Sequence, residues 1–206
     1  TVHKSVLVSE SLVNLDIASN VNFNLFAGAE KESIHMPSLN YLNLVDNNAT
    51  VPLKFLGAKQ FPKLMFLHLD GNQELRFDDL NFKSLSKNLE QLTIGRCNVK
   101  ELPPYMSSFK YVYFFDARNN NISQVNTDFL DTLKEHDKHS MFEVLFAGNP
   151  VCQDSSVRDE IRNKVGELSC EPLCSIYCWS RNAGSNEFCD ATCNSKECDY
   201  DQGECK

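Results

Sequence analysis

Leucine and asparagine return along this chain in one repeated pattern, and no other feature limits its fold as strongly. The pattern is L-x-x-L-x-L-x-x-N with related apolar residues at the leucine positions, and its first clear copy runs from Leu12 to Asn20. The ninth position is filled six times, by Asn20, Asn47, Asn72, Cys97, Asn120 and Asn149. These positions lie 23 to 29 residues apart. A period of this length is typical of a solenoid of stacked coils.

The pattern resembles the leucine-rich repeat, in which Asn or Cys occupies the ninth position. The resemblance implies an α/β solenoid of about six repeats over residues 1–150, with a parallel sheet on its concave face. In a short strand the two apolar residues of L-x-L point the same way and fill the core. A stacked Asn can both donate and accept, so it can satisfy turn N–H and C=O groups that the coil buries. Cys97 stands in the same column, and we expect it to be a buried free thiol without chemical activity.

The segments between the predicted strands should form the convex side and close the core from behind. They carry the apolar residues Phe55, Leu56, Phe61, Leu75, Leu80, Phe82 and Leu85. The longest repeat contains the charged stretch from Lys134 to His139, which we interpret as an outward bulge.

Residues 151–171 are expected to cap the solenoid with a helix. Val157, Ile161, Val165 and Leu168 are spaced for one helical face, and Ser156 followed by Asp159 resembles a capping box. The segment resembles the carboxy-terminal cap of secreted leucine-rich-repeat proteins. That resemblance implies a disulfide between Cys152 and Cys170.

The cysteines indicate an oxidising compartment. The chain has nine, and eight of them lie after residue 150. Such crowding with mixed spacing favours disulfides and an extracellular location, secreted or on the cell surface. Two sequons begin at Asn48 and Asn121, and both are predicted glycosylation sites on a secretory route.

Residues 172–206 form a predicted second module, because they have few core-forming side chains and six cysteines. The pairs Cys189-Asp190 and Cys193-Asn194 and the run from Asp201 to Cys205 resemble the Lin-12/Notch repeat. The resemblance implies one bound calcium ion. It also implies the disulfides Cys174–Cys198, Cys178–Cys193 and Cys189–Cys205.

The same resemblance implies a set of calcium ligands, which are oxygen donors of the kind that calcium prefers. They are Asn186, Asp190, Asp201 and Glu204, with backbone oxygens near Phe188 and Ala191. Half of the formal charge of −8 lies in residues 171–206, where a divalent cation would relieve repulsion. The residues alone leave three alternatives open: an EF-hand, a zinc site and a disulfide knot without an ion.

The residues between the leucines of each strand should form the concave surface. Tyr41, Phe66 and Phe114 fall in one row and form a predicted exposed aromatic stripe beside Asn43, His68 and Asp116. Aromatic anchors ringed by polar groups are typical of protein interfaces, so these six residues are the predicted partner-binding surface. The alternative is that the aromatic side chains pack on one another or lie under a glycan or a neighbouring subunit.

Charge and motifs disfavour several functions. A net charge of −8 disfavours nucleic acid or an anionic membrane as the partner. No apolar run reaches the roughly 18 residues of a spanning helix, and no signal peptide remains at Thr1, so the chain is interpreted as a processed or excised soluble piece. No catalytic signature is present, and we expect no enzyme activity.

These observations predict an extracellular binding module. We expect it to belong to a receptor or adhesion ectodomain whose concave face binds a protein or a glycan. The alternative is a structural subunit of an extracellular filament or surface coat, assembled through contacts between its own copies.

Overall fold

The structure, a computed structural model, describes residues 7–20, 33–47, 55–73, 75, 80–135, 142–170 and 194. The chain divides into two compact units, Thr1–Ser169 and Cys170–Lys206. All described residues except Cys170 and Asn194 belong to the first unit. The domain boundaries expected after residues 150 and 171 stay predictions.

In the described part of the first unit, six short strands form one parallel sheet in sequence order. The strands are β1 (Asn14–Asp16), β2 (Tyr41–Asn43), β3 (Phe66–His68), β4 (Gln91–Thr93), β5 (Phe114–Asp116) and β6 (Glu143–Leu145). The register pairs the central residues Leu15, Leu42, Leu67, Leu92, Phe115 and Val144 in one row. The predicted solenoid with a parallel sheet is confirmed.

The core lies between the sheet and the convex segments. Leu42, Leu67 and Leu92 are fully buried at the strand centres. Burying one such side chain stabilises the fold by roughly 1.5–3 kcal/mol. The convex segments contribute Phe55, Leu56, Phe61, Leu75, Phe82 and Leu85, all buried as expected. Phe82 also packs on Phe109, with ring centroids 5.6 Å apart.

Three α-helices occur among the described residues. They are α1 (Leu80–Lys83), α2 (Thr127–Lys134) and α3 (Ser155–Val165). Helix α2 ends at Lys134, the first residue of the stretch for which a bulge was expected, and it buries Phe129, Leu130 and Leu133. The predicted bulge beyond Glu135 lies outside the described residues.

Helix α3 lies where the cap helix was predicted and begins at a different residue from the one expected. Ile161 and Val165 are buried on one face, as their spacing indicated. The N-cap is Asp154, whose carboxylate accepts from the N–H groups of Ser156 and Val157. The capping box predicted at Ser156 is therefore wrong, because a carboxylate two residues earlier already satisfies these N–H groups.

The predicted column of asparagines, called the asparagine ladder below, is present, and its side chains hydrogen-bond to the backbone at the turns of the coils. The Nδ2 atom of Asn120 donates to the carbonyls of Ile94 and Ala117, at 2.8 and 2.9 Å. Its Oδ1 atom accepts from the N–H groups of Cys97 and Val99, each at 2.9 Å. Each interior asparagine thus satisfies backbone groups of its own coil and of the preceding one.

Cys97 occupies an interior position of this ladder as a buried free thiol. Its Sγ atom lies 3.2 Å from the carbonyl oxygen of Leu69 and takes the place of an asparagine Nδ2. Burial raises the pKa of the thiol to about 12. The thiol is therefore protonated at neutral pH, as an unreactive cysteine would be.

A second column, which the sequence analysis missed, lies beside the ladder. The residue before each ladder position has a left-handed backbone: Ser19, Asp46, Gly71, Arg96, Asn119 and Gly148, with φ between 52° and 77°. This conformation turns the chain out of each strand. Four of these six residues are Asp, Asn or Gly, the types that tolerate a positive φ, so a signal was present in the sequence.

Candidate functional site

The concave face consists of the two outer residues of each strand, in the rows that the sequence predicted. One row is Asn14, Tyr41, Phe66, Gln91, Phe114 and Glu143; the other is Asp16, Asn43, His68, Thr93, Asp116 and Leu145. The outer residues are exposed on β1, partly exposed on β2 and β3, and buried on β5 and β6; on β4 Gln91 is partly exposed and Thr93 is buried. The face therefore has an open half on β1–β3 and a closed half on β4–β6.

The open half brings together four of the six residues predicted to bind a partner. Tyr41, Asn43, Phe66 and His68 lie on two paired strands and are each partly exposed. The rings of Tyr41 and His68 are in contact, with centroids 5.3 Å apart. Asn43 donates through Nδ2 to the carboxylate of Asp16 at 3.0 Å, so the amide is held in one orientation.

The electrostatics of the open half keep its aromatic groups neutral. Burial lowers the pKa of His68, and the carboxylates of Asp16 and Asp116 oppose this shift. Burial raises the pKa of Tyr41, and the Asp16 carboxylate raises it further. At neutral pH the surface thus presents an uncharged imidazole and a phenol beside one exposed carboxylate.

The closed half corrects the expected aromatic stripe. Phe114 is only 9% exposed and Asp116 only 2%, so neither offers a free surface to a partner. Arg118 neutralises Asp116: its Nε atom donates to both carboxylate oxygens at 2.9 Å, and its Nη2 atom donates to Oδ2 at 2.6 Å. A charged pair of this geometry can be buried because each partner satisfies the other.

Asp70 follows β3, and its carboxylate bonds to the neighbouring coil of the closed half. It accepts from the hydroxyl of Thr93 and, at 2.7 Å, from the N–H of Gly95. Burial raises the pKa of Asp70 to about 6, the nearby Asp116 raises it as well, and the hydrogen bonds from Thr93 and Gly95 oppose the shift. Asp70 was not predicted as a site residue, and its role here is structural.

The cap cysteines are both disulfide-bonded, Cys152 beside the last coil and Cys170 at the end of a 3₁₀-helix. Their pairing with each other stays a prediction. The other six predicted disulfide cysteines lie outside the described residues: Cys174, Cys178, Cys189, Cys193, Cys198 and Cys205.

The predicted calcium ligands Asn186, Phe188, Asp190, Ala191, Asp201 and Glu204 also lie outside the described residues. Within the part of the chain that the structure does describe, no three His, Cys, Asp or Glu side chains converge as a metal site would require. The carboxylate, amide and carbonyl oxygens of the predicted set fit calcium by their chemistry.

Of the two predicted glycosylation sites, Asn48 lies outside the described residues and Asn121 lies on the surface. Asn121 and Ser123 are both exposed, while Ile122 between them is fully buried. Among the described helices, none combines the length and the apolar character that crossing a membrane requires.

Comparison with known proteins agrees with this architecture. The family model described as "Notch: LNR domain" matches residues 163–206. The solved structure of a leucine-rich-repeat protein of Leptospira interrogans superposes with a TM-score of 0.57 at 24% identity. That superposition covers 79% of this chain and 37% of the other, and it shows the fold.

A curated relative is Receptor like protein 22 of Arabidopsis thaliana, 28% identical over 92 residues. The alignment covers 43% of this chain and 12% of the relative, so this chain corresponds to a small part of that protein. The stacked coils, the asparagine ladder and these matches together identify the architecture. The chain has the leucine-rich-repeat fold, and its residues 163–206 match the Lin-12/Notch repeat, the LNR domain.

Proposed function

We propose that this chain is an extracellular binding module, part of a receptor or adhesion ectodomain, and that the open half of its concave face contacts a protein or glycan partner. The observation that carries the proposal is the adjacency of Tyr41, Asn43, Phe66 and His68 on two paired strands, all reachable from solvent. Similarity to a receptor-like protein supports it. Leucine-rich and Lin-12/Notch repeats are non-enzymatic families, which favours binding over catalysis.

The chemistry of the open half defines the kind of partner. Tyr41 and Phe66 supply rigid aromatic area at low entropic cost, which is how interfaces obtain most of their binding energy. Asn43 and the neutral His68 add hydrogen-bond donors and acceptors beside them. The exposed Asp16 carboxylate favours a basic or hydroxyl-bearing group at the edge of the contact.

Truncation of the aromatic pair tests this function. We expect Tyr41→Ala and Phe66→Ala each to weaken binding about 10- to 100-fold, because each removes an anchor at the centre of the contact. Binding is measured with the labelled full chain on cells and on arrays of extracellular proteins and glycans. Tyr111→Ala is the matched control, since Tyr111 is 55% exposed and lies outside the open half. If both open-half variants bind as tightly as the wild type, the open half is not the binding surface.

A structural role is the second candidate. Val8 and Val13, in the first coil, are 49% and 50% exposed, which is unusual for large apolar side chains. Contacts between copies through this coil would cover them. Sedimentation of the full chain with and without calcium separates the two roles: concentration-dependent assembly supports a filament or coat, and a monomer under all conditions favours the receptor role.

We also infer that calcium stabilises the second unit. The predicted ligands supply hard oxygens, and the negative charge of residues 171–206 is relieved by a divalent cation. Chelation should therefore speed proteolysis of residues 171–206 about tenfold or more while the solenoid stays resistant. Limited proteolysis with mass spectrometry measures both regions in one sample, and re-addition of calcium is the control. Equal resistance of the tail with and without chelator contradicts the inference.

A further inference from the structure

A polar groove lies on the edge of the solenoid where the chain leaves the strands, away from the open half of the concave face. Its volume is about 610 Å³, within the range of about 300–1,000 Å³ that is usual for small-ligand sites. Its lining is mostly polar, and every side chain in it is polar or charged: Asp46, Gly71, Gln73, Arg96, Asn98, Asn119, Asn120, Asn121 and Gly148. Five of these residues belong to the left-handed column: Asp46, Gly71, Arg96, Asn119 and Gly148.

Glycine positions shape this groove. At Gly71 a side chain would collide with Asp46, since a Cβ atom would lie 1.9 Å from Oδ1 of Asp46. Across this gap Arg96 reaches Asp46, with Nη1–Oδ1 and Nη2–Oδ2 distances of 2.9 and 3.3 Å. The gap at Gly148 is similarly taken by the side chain of Asn119, whose Oδ1 would lie 2.2 Å from a Cβ there.

The charge of the groove points to a neutral ligand. Its one carboxylate and its one guanidinium form an ion pair with each other, so the lining has no net charge. The remaining side chains are primary amides; that of Asn120 is already bonded to the backbone at both ends, and those of Gln73, Asn98, Asn119 and Asn121 can donate and accept. Such groups suit the hydroxyl and acetamido groups of sugars better than they suit ions.

Affinity for a free sugar would be low, because the lining offers no aromatic ring for stacking. A sugar tethered at the groove itself avoids this limit, since attachment raises its effective concentration to the millimolar range or above. Asn121 supplies the tether. It lines the groove and opens the sequon Asn121-Ile122-Ser123.

The local structure holds Asn121 in a fixed direction. The N–H of Asn121 donates to the carbonyl of Val99 at 2.8 Å, and the N–H of Ile122 donates to Oδ1 of Asn149 at 2.9 Å. Nδ2 of Asn121 donates to Oδ1 of Asn98 at 2.6 Å. Nδ2 carries two hydrogens, so one can be replaced by a sugar while the other keeps the bond to Asn98.

We infer that Asn121 carries an N-linked glycan whose core sugars lie in this groove. In the attachment step a lipid-linked glycosyl diphosphate donates the sugar. The bond from Nδ2 to the sugar C1 forms as the bond from C1 to the diphosphate oxygen breaks, Nδ2 gives up one proton, and the lipid diphosphate leaves. The glycan then covers the Asp46–Arg96 ion pair and the amides beside it.

Glycan release under native conditions tests the inference. The full chain is secreted from a eukaryotic host that attaches high-mannose glycans, and mass spectrometry measures occupancy at Asn121. An endoglycosidase that cuts within the glycan core should act on the order of tenfold more slowly on the native chain than on the unfolded chain. An unmodified Asn121, or equal release rates in the two states, overturns the inference.

A variant pair separates docking from simple folding effects. Asn98→Gly removes the amide that orients Nδ2, and glycine tolerates the φ of 57° at this position. Release from this variant should be about fivefold faster than from the wild type, the effect of one net hydrogen bond. Ser19→Gly is the matched control, because Ser19 has a φ of 58° and does not line the groove. Equal acceleration by both variants, or none by Asn98→Gly, contradicts docking.

A glycan-free variant supplies a second readout. Ser123→Ala abolishes the sequon and leaves Asn121 in place, so only the sugar is lost. Exchange of the backbone N–H groups in segments 96–98 and 119–121 should then become faster, because the glycan no longer shields them from water. Unchanged exchange in both segments overturns the inference even where Asn121 is occupied.

Discussion

The two halves of the concave face share one strand register but differ in the exposure and bonding of their outward side chains. On β2 and β3 the outward residues Asn43 and His68 are partly exposed, whereas on β4 and β5 their counterparts Thr93 and Asp116 are 1% and 2% exposed. In the buried half, polar groups bond to one another, as Asp116 does to Arg118. A repeat therefore fixes where a side chain points, and its neighbours decide whether a partner can reach it.

The asparagine ladder shows the same contrast between its end and its interior. Asn20 belongs to the first coil and is exposed, and among the described residues its Nδ2 atom donates to its own coil, to the carbonyls of Ile17 and Ala18. Asn120 is buried and bonds to backbone groups of two coils. Residues at equivalent positions of the repeat thus contribute very differently to stability.

The largest effect that would sharpen this contrast is expected at the interior of the ladder. Asn120→Ala should lower the free energy of unfolding by about 3–5 kcal/mol, because it leaves several buried N–H and C=O groups without partners. Asn20→Ala should cost under about 1 kcal/mol, since water replaces the lost bonds. Denaturant unfolding monitored by circular dichroism measures both, at a fixed calcium concentration. Similar costs for the two variants would break the contrast.

A smaller effect should follow from the carboxylates of the closed half. The pKa of Asp70 is about 6 in the fold and near 3.8 in the unfolded chain, so the folded state binds this proton more tightly. The contribution of Asp70 to stability is therefore complete below about pH 4 and is lost as the pH rises through about 6. Its magnitude is about 3 kcal/mol, the equivalent of a pKa shift from 3.8 to about 6.

Asp70→Asn tests this pH dependence. The variant keeps an acceptor for the Gly95 N–H and has no carboxylate to titrate. At pH 7 it should be more stable than the wild type by about 2–3 kcal/mol, and the difference should nearly vanish near pH 4. Unfolding titrations across pH 4–8 provide the measurement, and Asp16→Asn on the open half is the control. A constant difference at all pH values would contradict the raised pKa.

The repeat made the fold predictable, because aliphatic anchors every 23 to 29 residues fix the strands, the register and the ladder at once. The burial of Phe114 and Asp116 was not predictable in this way. It depends on what packs against the face, which is set by contacts distant in sequence. The cap helix was predicted from Ile161 and Val165, but its first residue was not, since Asp154 and Ser156 are both good N-caps.

Some of the site was readable in the sequence and was missed. Asp116 and Arg118 are two residues apart. In an extended chain this spacing points both side chains the same way, which allows an ion pair. The left-handed column could have been found from the Asp, Asn and Gly residues that precede the ladder positions. The pairing of Arg96 with Asp46 had no such signal, because it crosses an intervening coil through the gap at Gly71.

The thiol of Cys97 is a natural probe of local opening in the solenoid. A reagent that modifies sulfur can reach the Cys97 side chain, which is fully buried and protonated at neutral pH, only when the coils around it part. The rate at which the Cys97 Sγ atom is labelled therefore reports how often the middle of the solenoid opens locally. No probe has to be engineered into the chain to follow that motion.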